Sequence, residues 1–187
     1  MKRINKGEKG YLNYRKLVLL LSVLVLVVSV GVFFFTGYIK YKSTKSVFTV
    51  LAILMVLPAA KQFVIYAVVA PYKSVAFDMY DSIKEIISDN NIYMIADLVV
   101  TAQEKVTNID FICVKGDRIV GYAPHKKVDI SFITKHLKDV ISPNYKVNQV
   151  KMYTDFDKYK KAVEELKDVE EYKYDKDIAN LILTQCV

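Results

Sequence analysis

The chain has 187 residues, 53% of them hydrophobic, with a formal charge of +7 and two cysteines. The basic excess is local: residues before Pro71 carry a net +9 and the remainder −2, so the C-terminal part lacks the broad positive field that phosphate backbones reward. Cys113 and Cys186 lie far apart without C-x-x-C or zinc spacing, which argues against a disulfide framework or a thiolate metal cage.

Residues 1–16 form a basic N-terminal segment. Two apolar runs follow, residues 17–35 and 47–70, and together they read as a transmembrane hairpin. At about 1.5 Å per helical residue the shorter run reaches roughly 28 Å, close to the ~30 Å of bilayer hydrocarbon. No small-residue cleavage site follows Phe35, so the first run reads as a retained span rather than a signal peptide. Six basic residues precede the first span and three lie in loop 37–46. By the bias of Lys and Arg toward the inside, both termini are expected in the cytoplasm, in a multi-pass protein of the cell membrane. Tyr11, Tyr14, Tyr38, Tyr41 and Tyr72 flank the runs as an interfacial aromatic belt.

Lys61 and Gln62 interrupt the second run, just beyond Pro58. An ammonium near the bilayer centre costs about 2.5–3.5 kcal/mol on insertion scales. Either the side chain reaches back to the interface, or Lys61 and Gln62 contact a partner protein or a second copy within the membrane.

Residues 71–187 read as a cytoplasmic α+β domain. Val75, Met79, Ile83, Ile86 and Ile87 follow helical spacing. Residues 92–101 and 109–116 are rich in strand formers, separated by the polar QEKVTN, and Gly116-Asp117 turns into residues 118–123; together these predict an antiparallel meander. Ile130, Ile133, Leu137, Val140 and Ile141 mark a helix stopped by Pro143. Residues 147–153 predict a fourth strand. Thr154 and Asp157 fit a helix-start pattern ahead of Phe156, Tyr159, Val163 and Leu166, and a last short helix holds Ile178, Leu181 and Ile182. The order α-β-β-β-α-β-α-α predicts a four-stranded mixed sheet with helices packed on it.

Residues 107–127, TNIDFICVKGDRIVGYAPHKK, resemble the nuclease-related domain of the restriction-endonuclease-like superfamily. The resemblance covers residues 74–167 in element order and implies a divalent-metal site for phosphodiester cleavage, with Asp110 on the second strand, Glu85 on the first helix and Lys126 after the third strand. The third-strand glutamate of that family has no counterpart: the segment reads Gly121-Tyr122-Ala123-Pro124-His125. One sheet carboxylate is too few for a hard cation, so a degenerate site is expected. His125 reads as a solvated loop residue, His136 as a boundary residue of its helix, and Cys113 as a buried structural thiol.

No bound metal and no cofactor are expected. The leading expectation is a bacterial-type membrane protein that tethers a small non-enzymatic binding or regulatory module to the cytoplasmic face. Its expected partners are the lipid bilayer and either another membrane protein or a second copy, with nucleic acid disfavoured. The alternative is a nuclease-fold protein acting on nucleic acid near the membrane.

Overall fold

The computed structural model describes residues 4–43, 45–88, 90–102, 105–124 and 128–186. Two compact units are present: residues 13–71, and a second built from residues 4–12 together with 72–186. Residues 4–12 of the basic N-terminal segment therefore belong to the α+β unit.

In the first unit, α1 (Tyr11–Tyr41) and α2 (Val47–Val69) are both long and apolar enough to cross a bilayer. Helix α1 outlasts the apolar run at both ends and stops where Lys42 turns left-handed, at φ 47°. Ser46 caps α2 by accepting the Thr49 N–H at 3.3 Å. The Ser22 and Ser29 hydroxyls donate to the Leu19 and Val25 carbonyls at 2.8 Å, so neither needs water. Pro58 lies inside α2, which continues past it to Val69.

The soluble unit holds α3 (Phe77–Ile87), β1 (Tyr93–Ala102), β2 (Lys105–Lys115), β3 (Arg118–Tyr122), α4 (Ile130–Ile141), β4 (Gln149–Tyr153), α5 (Phe156–Glu165) and α6 (Asp175–Thr184), with one 3-10 turn at Leu166–Asp168. The sheet order is β1-β2-β3-β4. The first three strands form the antiparallel meander, and β4 runs parallel to β3 because α4 carries the chain across. The element order and mixed sheet agree with the sequence reading.

Helices cover both faces. Ile95, Ile112, Val114 and Ile119 pack with Ile133 and Leu137 of α4 and Ile178 and Ile182 of α6. On the other face Ala96, Phe111, Cys113 and Val120 meet Ile83 and Ile86 of α3 and Tyr159 and Val163 of α5. A sheet buried on both sides needs strands that are apolar at successive positions, which is why β2 reads IDFICV without alternation.

Most boundaries shift by a residue or two from the sequence reading, and three of the differences are informative. Strand β2 starts inside the polar QEKVTN, because Thr107 and Asn108 pair with Val100 and Val99 and are buried there. Helix α3 starts at Phe77, leaving Val75, the first residue of the predicted helical stripe, outside it. The cap of α5 is Asp155, which accepts the Asp157 and Lys158 N–H groups at 3.0 Å; Thr154 does not serve.

The β1–β2 ladder also carries an irregularity, with no change of register on either side of it. Ile95 and Leu98 face the same core although three residues apart, and so do Ile109 and Ile112 across from them. Between the pairs Ala96↔Phe111 and Leu98↔Ile109, Asp97 and Asp110 stand opposite each other. Asp97 takes φ 56°, a left-handed conformation that flips the face alternation of its strand.

Candidate functional site

Asp110 sits at that irregularity in β2, nearly buried, with its Oδ1 accepting from the Asn108 amide at 2.8 Å. The β2–β3 register pairs Phe111 with Tyr122, so one step further places Ala123 opposite Asp110. Ala123 is fully buried and donates its N–H to the Tyr153 carbonyl at 2.9 Å. A methyl group thus occupies the site where a second sheet carboxylate would complete a cation-binding pair. Glu85 lies on the exposed face of α3, away from the residues that helix buries. Lys126 and His125 lie outside the described residues. Among the described residues no three metal-binding side chains cluster. Asp110 leaves its mark on Tyr122, whose pKa is raised by burial first and by the Asp110 and Asp155 charges second.

No family model, characterised protein or solved structure matches this chain. Function must therefore be argued from the geometry.

The second buried carboxylate, Asp97, has a different task. Its Oδ1 accepts the Val75 N–H and its Oδ2 the Gly10 N–H, each at 2.8 Å. Gly10 is the last residue before α1, and Val75 follows the end of α2. Beside it the Gly7 carbonyl accepts the Ala96 N–H at 2.8 Å, and the Lys6 ammonium donates to the Cys186 carbonyl. Segment 4–12 thereby covers part of the β1 edge, which Cys186 also covers through an antiparallel bridge to Val100. Sequence reasoning missed Asp97; the only signal was an acid inside the apolar run IYMIADLVVT.

A polar cavity of about 490 Å³ is lined by Asn91, Tyr93, Glu171, Tyr172, Asp175 and the adjoining lysines Lys173 and Lys176. Asp175 is buried, and its Oδ2 accepts the Gly116 and Tyr172 N–H groups at 2.9 and 3.1 Å. Its Oδ1 has no hydrogen-bond partner among the described residues. The Asn91 amide donates to Glu171 at 2.7 Å. This site offers one buried acceptor without a partner among the described residues and two lining lysines, which suits holding a small polar group rather than transforming one.

The remaining candidates are structural. Cys113 is fully buried and 3.2 Å from the Tyr159 hydroxyl; burial pushes its thiol up to about 12, too high for a nucleophile at neutral pH. His136 stacks on Phe132 over a shallow 170 Å³ hollow, at the boundary of α4. In the first unit Lys61 is exposed on α2 and Gln62 half-buried. Val56, Ala59, Ala60 and Phe63 line an apolar groove with Val23, Val27 and Val30 of α1. At 100° per residue Lys61 points away from that groove, on the outer side of the helix.

Proposed function

We propose that this chain is a membrane-anchored, non-enzymatic binding module. Its hairpin spans the cell membrane with both termini in the cytoplasm, and the α+β unit works on the cytoplasmic face. The single observation that supports this best is the shared carboxylate of Asp97. The residues immediately before α1 and soon after α2 are both built into the soluble fold. Building both ends of the anchor into one fold suits a module that recognises something also resident at the membrane. Lys61 and Gln62 supply the contact with that partner inside the bilayer.

Intact membranes carrying the tagged full-length chain test the reading. A short cross-linker is expected to give discrete species above the monomer. Monomer alone, or release of the chain by alkaline washing, would overturn it. Exchanging residues 13–71 for an unrelated hairpin separates the two possible seats of recognition: cross-linked species that survive the exchange place recognition in the soluble unit.

A further inference from the structure

Asp175 opens α6, is 2% exposed and lines the polar cavity of the α+β unit. Its Oδ2 is occupied by two backbone donors, the Gly116 and Tyr172 N–H groups. Its Oδ1 has no partner among the described residues. The fold therefore uses only half of this carboxylate. A buried, charged oxygen without a donor is costly, so the site favours a ligand that brings an N–H or O–H group to it. A cationic donor gains most, because the hydrogen bond is then charge-assisted.

The rest of the wall narrows that donor to an organic ammonium. Glu171 adds a second carboxylate, whose Oε1 accepts the Asn91 amide at 2.7 Å. Tyr93 and Tyr172 line the same cavity, and phenol rings attract ammonium groups. Two carboxylates are too few to enclose a metal ion, and among the described residues no third metal-binding side chain joins them. Lys173 and Lys176 complete the wall and balance the two acids. A bare cation would meet repulsion as well as attraction there. A ligand that carries an anionic group beyond its ammonium satisfies both signs of charge. The cavity, about 490 Å³, has room for a small organic molecule.

We infer that this cavity binds a free amino acid. Asp175 and Glu171 receive its ammonium, and Lys173 and Lys176 receive its carboxylate. The inference rests on the reading of the α+β unit as a binding module. It does not depend on the hairpin, since every group it uses lies within the α+β unit.

The full-length chain in detergent micelles is to be titrated with each of the common amino acids, with binding read by calorimetry. At least one is expected to bind with a Kd below about 1 mM. Its N-acetyl derivative lacks the ammonium and its C-terminal amide lacks the carboxylate, so each should bind at least about tenfold more weakly. Asp175→Asn keeps one oxygen for Gly116 and Tyr172 but sets an NH2 donor where Oδ1 stood, and it is expected to abolish binding. The exposed pair Lys173→Gln and Lys176→Gln, made together, should weaken the amino acid about tenfold and leave its amide unaffected. No binding to the wild type at about 10 mM overturns the inference and assigns the open oxygen to water. Binding that survives N-acetylation, or the Asp175→Asn change, overturns it too. Should Asp175→Asn fail to fold, the double lysine variant decides: amino-acid binding as tight as wild type overturns the inference. A chain that binds no amino acid yet still cross-links in membranes loses this site and keeps the proposed function.

Discussion

Asp97 accepts the backbone N–H of Val75 at 2.8 Å while its own backbone sits at φ 56°, so one residue supplies both the acceptor and the kink that aims it. The second oxygen, bonded to Gly10, makes the carboxylate a clasp on two segments far apart in the chain. Charge-assisted hydrogen bonds of this kind contribute about 1.5–3 kcal/mol each, and a non-glycine residue in the left-handed region gives back about 1–2 kcal/mol. The clasp outweighs the strain.

Three substitutions separate those terms. Asp97→Ala is expected to destabilise the soluble unit by about 3 kcal/mol, since both acceptors go and the strain remains. Asp97→Gly should cost less, because glycine occupies the left-handed region freely. Asp97→Asn should be mildest, since Asn tolerates this conformation and keeps one acceptor. Urea unfolding of the intact chain in micelles gives the order, and amide exchange at Gly10 and Val75 should rise in all three. An Ala variant as stable as wild type would show that the clasp holds nothing.

The two buried thiols set a pH dependence. Burial raises both Cys113 and Cys186 to about 12 from an ordinary value near 9, and raises Tyr159 as well. A raised acid keeps its proton in the fold while the unfolded chain has lost its own. Stability is therefore fully present below pH 9 and falls between pH 9 and about 12. The limiting slope is about 1.4 kcal/mol per pH unit for each group. Cys113→Ala should flatten the alkaline limb of a denaturation series. A limb that keeps its slope would place the loss in other groups.

Gly116 makes the turn between β2 and β3 at φ 62°, and a Cβ there would stand 2.5 Å from the Glu170 carbonyl oxygen. Gly116→Ala is expected to cost about 2–3 kcal/mol, from the left-handed penalty plus displacement of the backbone above it. Because the Gly116 N–H also holds Asp175, the same change should disturb the polar cavity. Chemical shifts of Tyr172 and Asn91 would register that. Unchanged shifts together with full stability would refute the argument.

Much of the fold was legible because its signals are local. The stripe of Ile130, Ile133, Leu137 and Ile141, the stop at Pro143 and the Gly116-Asp117 turn each depend on residues a few positions apart. What stayed hidden depends on distance in sequence. Thr107 and Asn108 look like loop residues until Val99 and Val100 are placed beside them. Thr154 and Asp155 both suit a cap, and backbone direction alone chooses the second. Segment 4–12 reads as a basic tail, because nothing near Gly7 announces that its carbonyl will meet Ala96. Asp97 was invisible for the same reason, its partners lying 22 and 87 residues away. Among the candidate site residues, Asp110 could be placed on its strand from sequence, but the methyl of Ala123 opposite it needed the register.

That methyl bears on the nuclease resemblance. With Ala123 facing Asp110 and Glu85 exposed on α3, the sheet offers one carboxylate where a hard cation wants several oxygens. The full chain, incubated with Mg²⁺ or Mn²⁺ and DNA or RNA, is expected to leave both uncut. The whole chain is the right reagent, since residues 4–12 belong to the soluble fold. Cleavage that disappears in Asp110→Ala would reinstate the enzymatic reading.

Lys61 offers the sharpest prediction about partners. It is exposed on α2, eight residues or about 12 Å before Val69, with no hydrogen bond or ion pair to a described residue. Residues 13–71 contain no Asp or Glu, so the hairpin of a second copy has no charge with which to neutralise it. A neutralising acid would have to come from outside the hairpin; otherwise the side chain reaches back to lipid phosphates. Lys61→Leu removes a residue costing about 2.5–3.5 kcal/mol in a bilayer, so the variant should insert at least as well as wild type. It should nevertheless lose the cross-linked species, while Lys61→Arg keeps it. Cross-linking unchanged in the leucine variant would reduce Lys61 to a snorkelling side chain and confine recognition to the soluble unit.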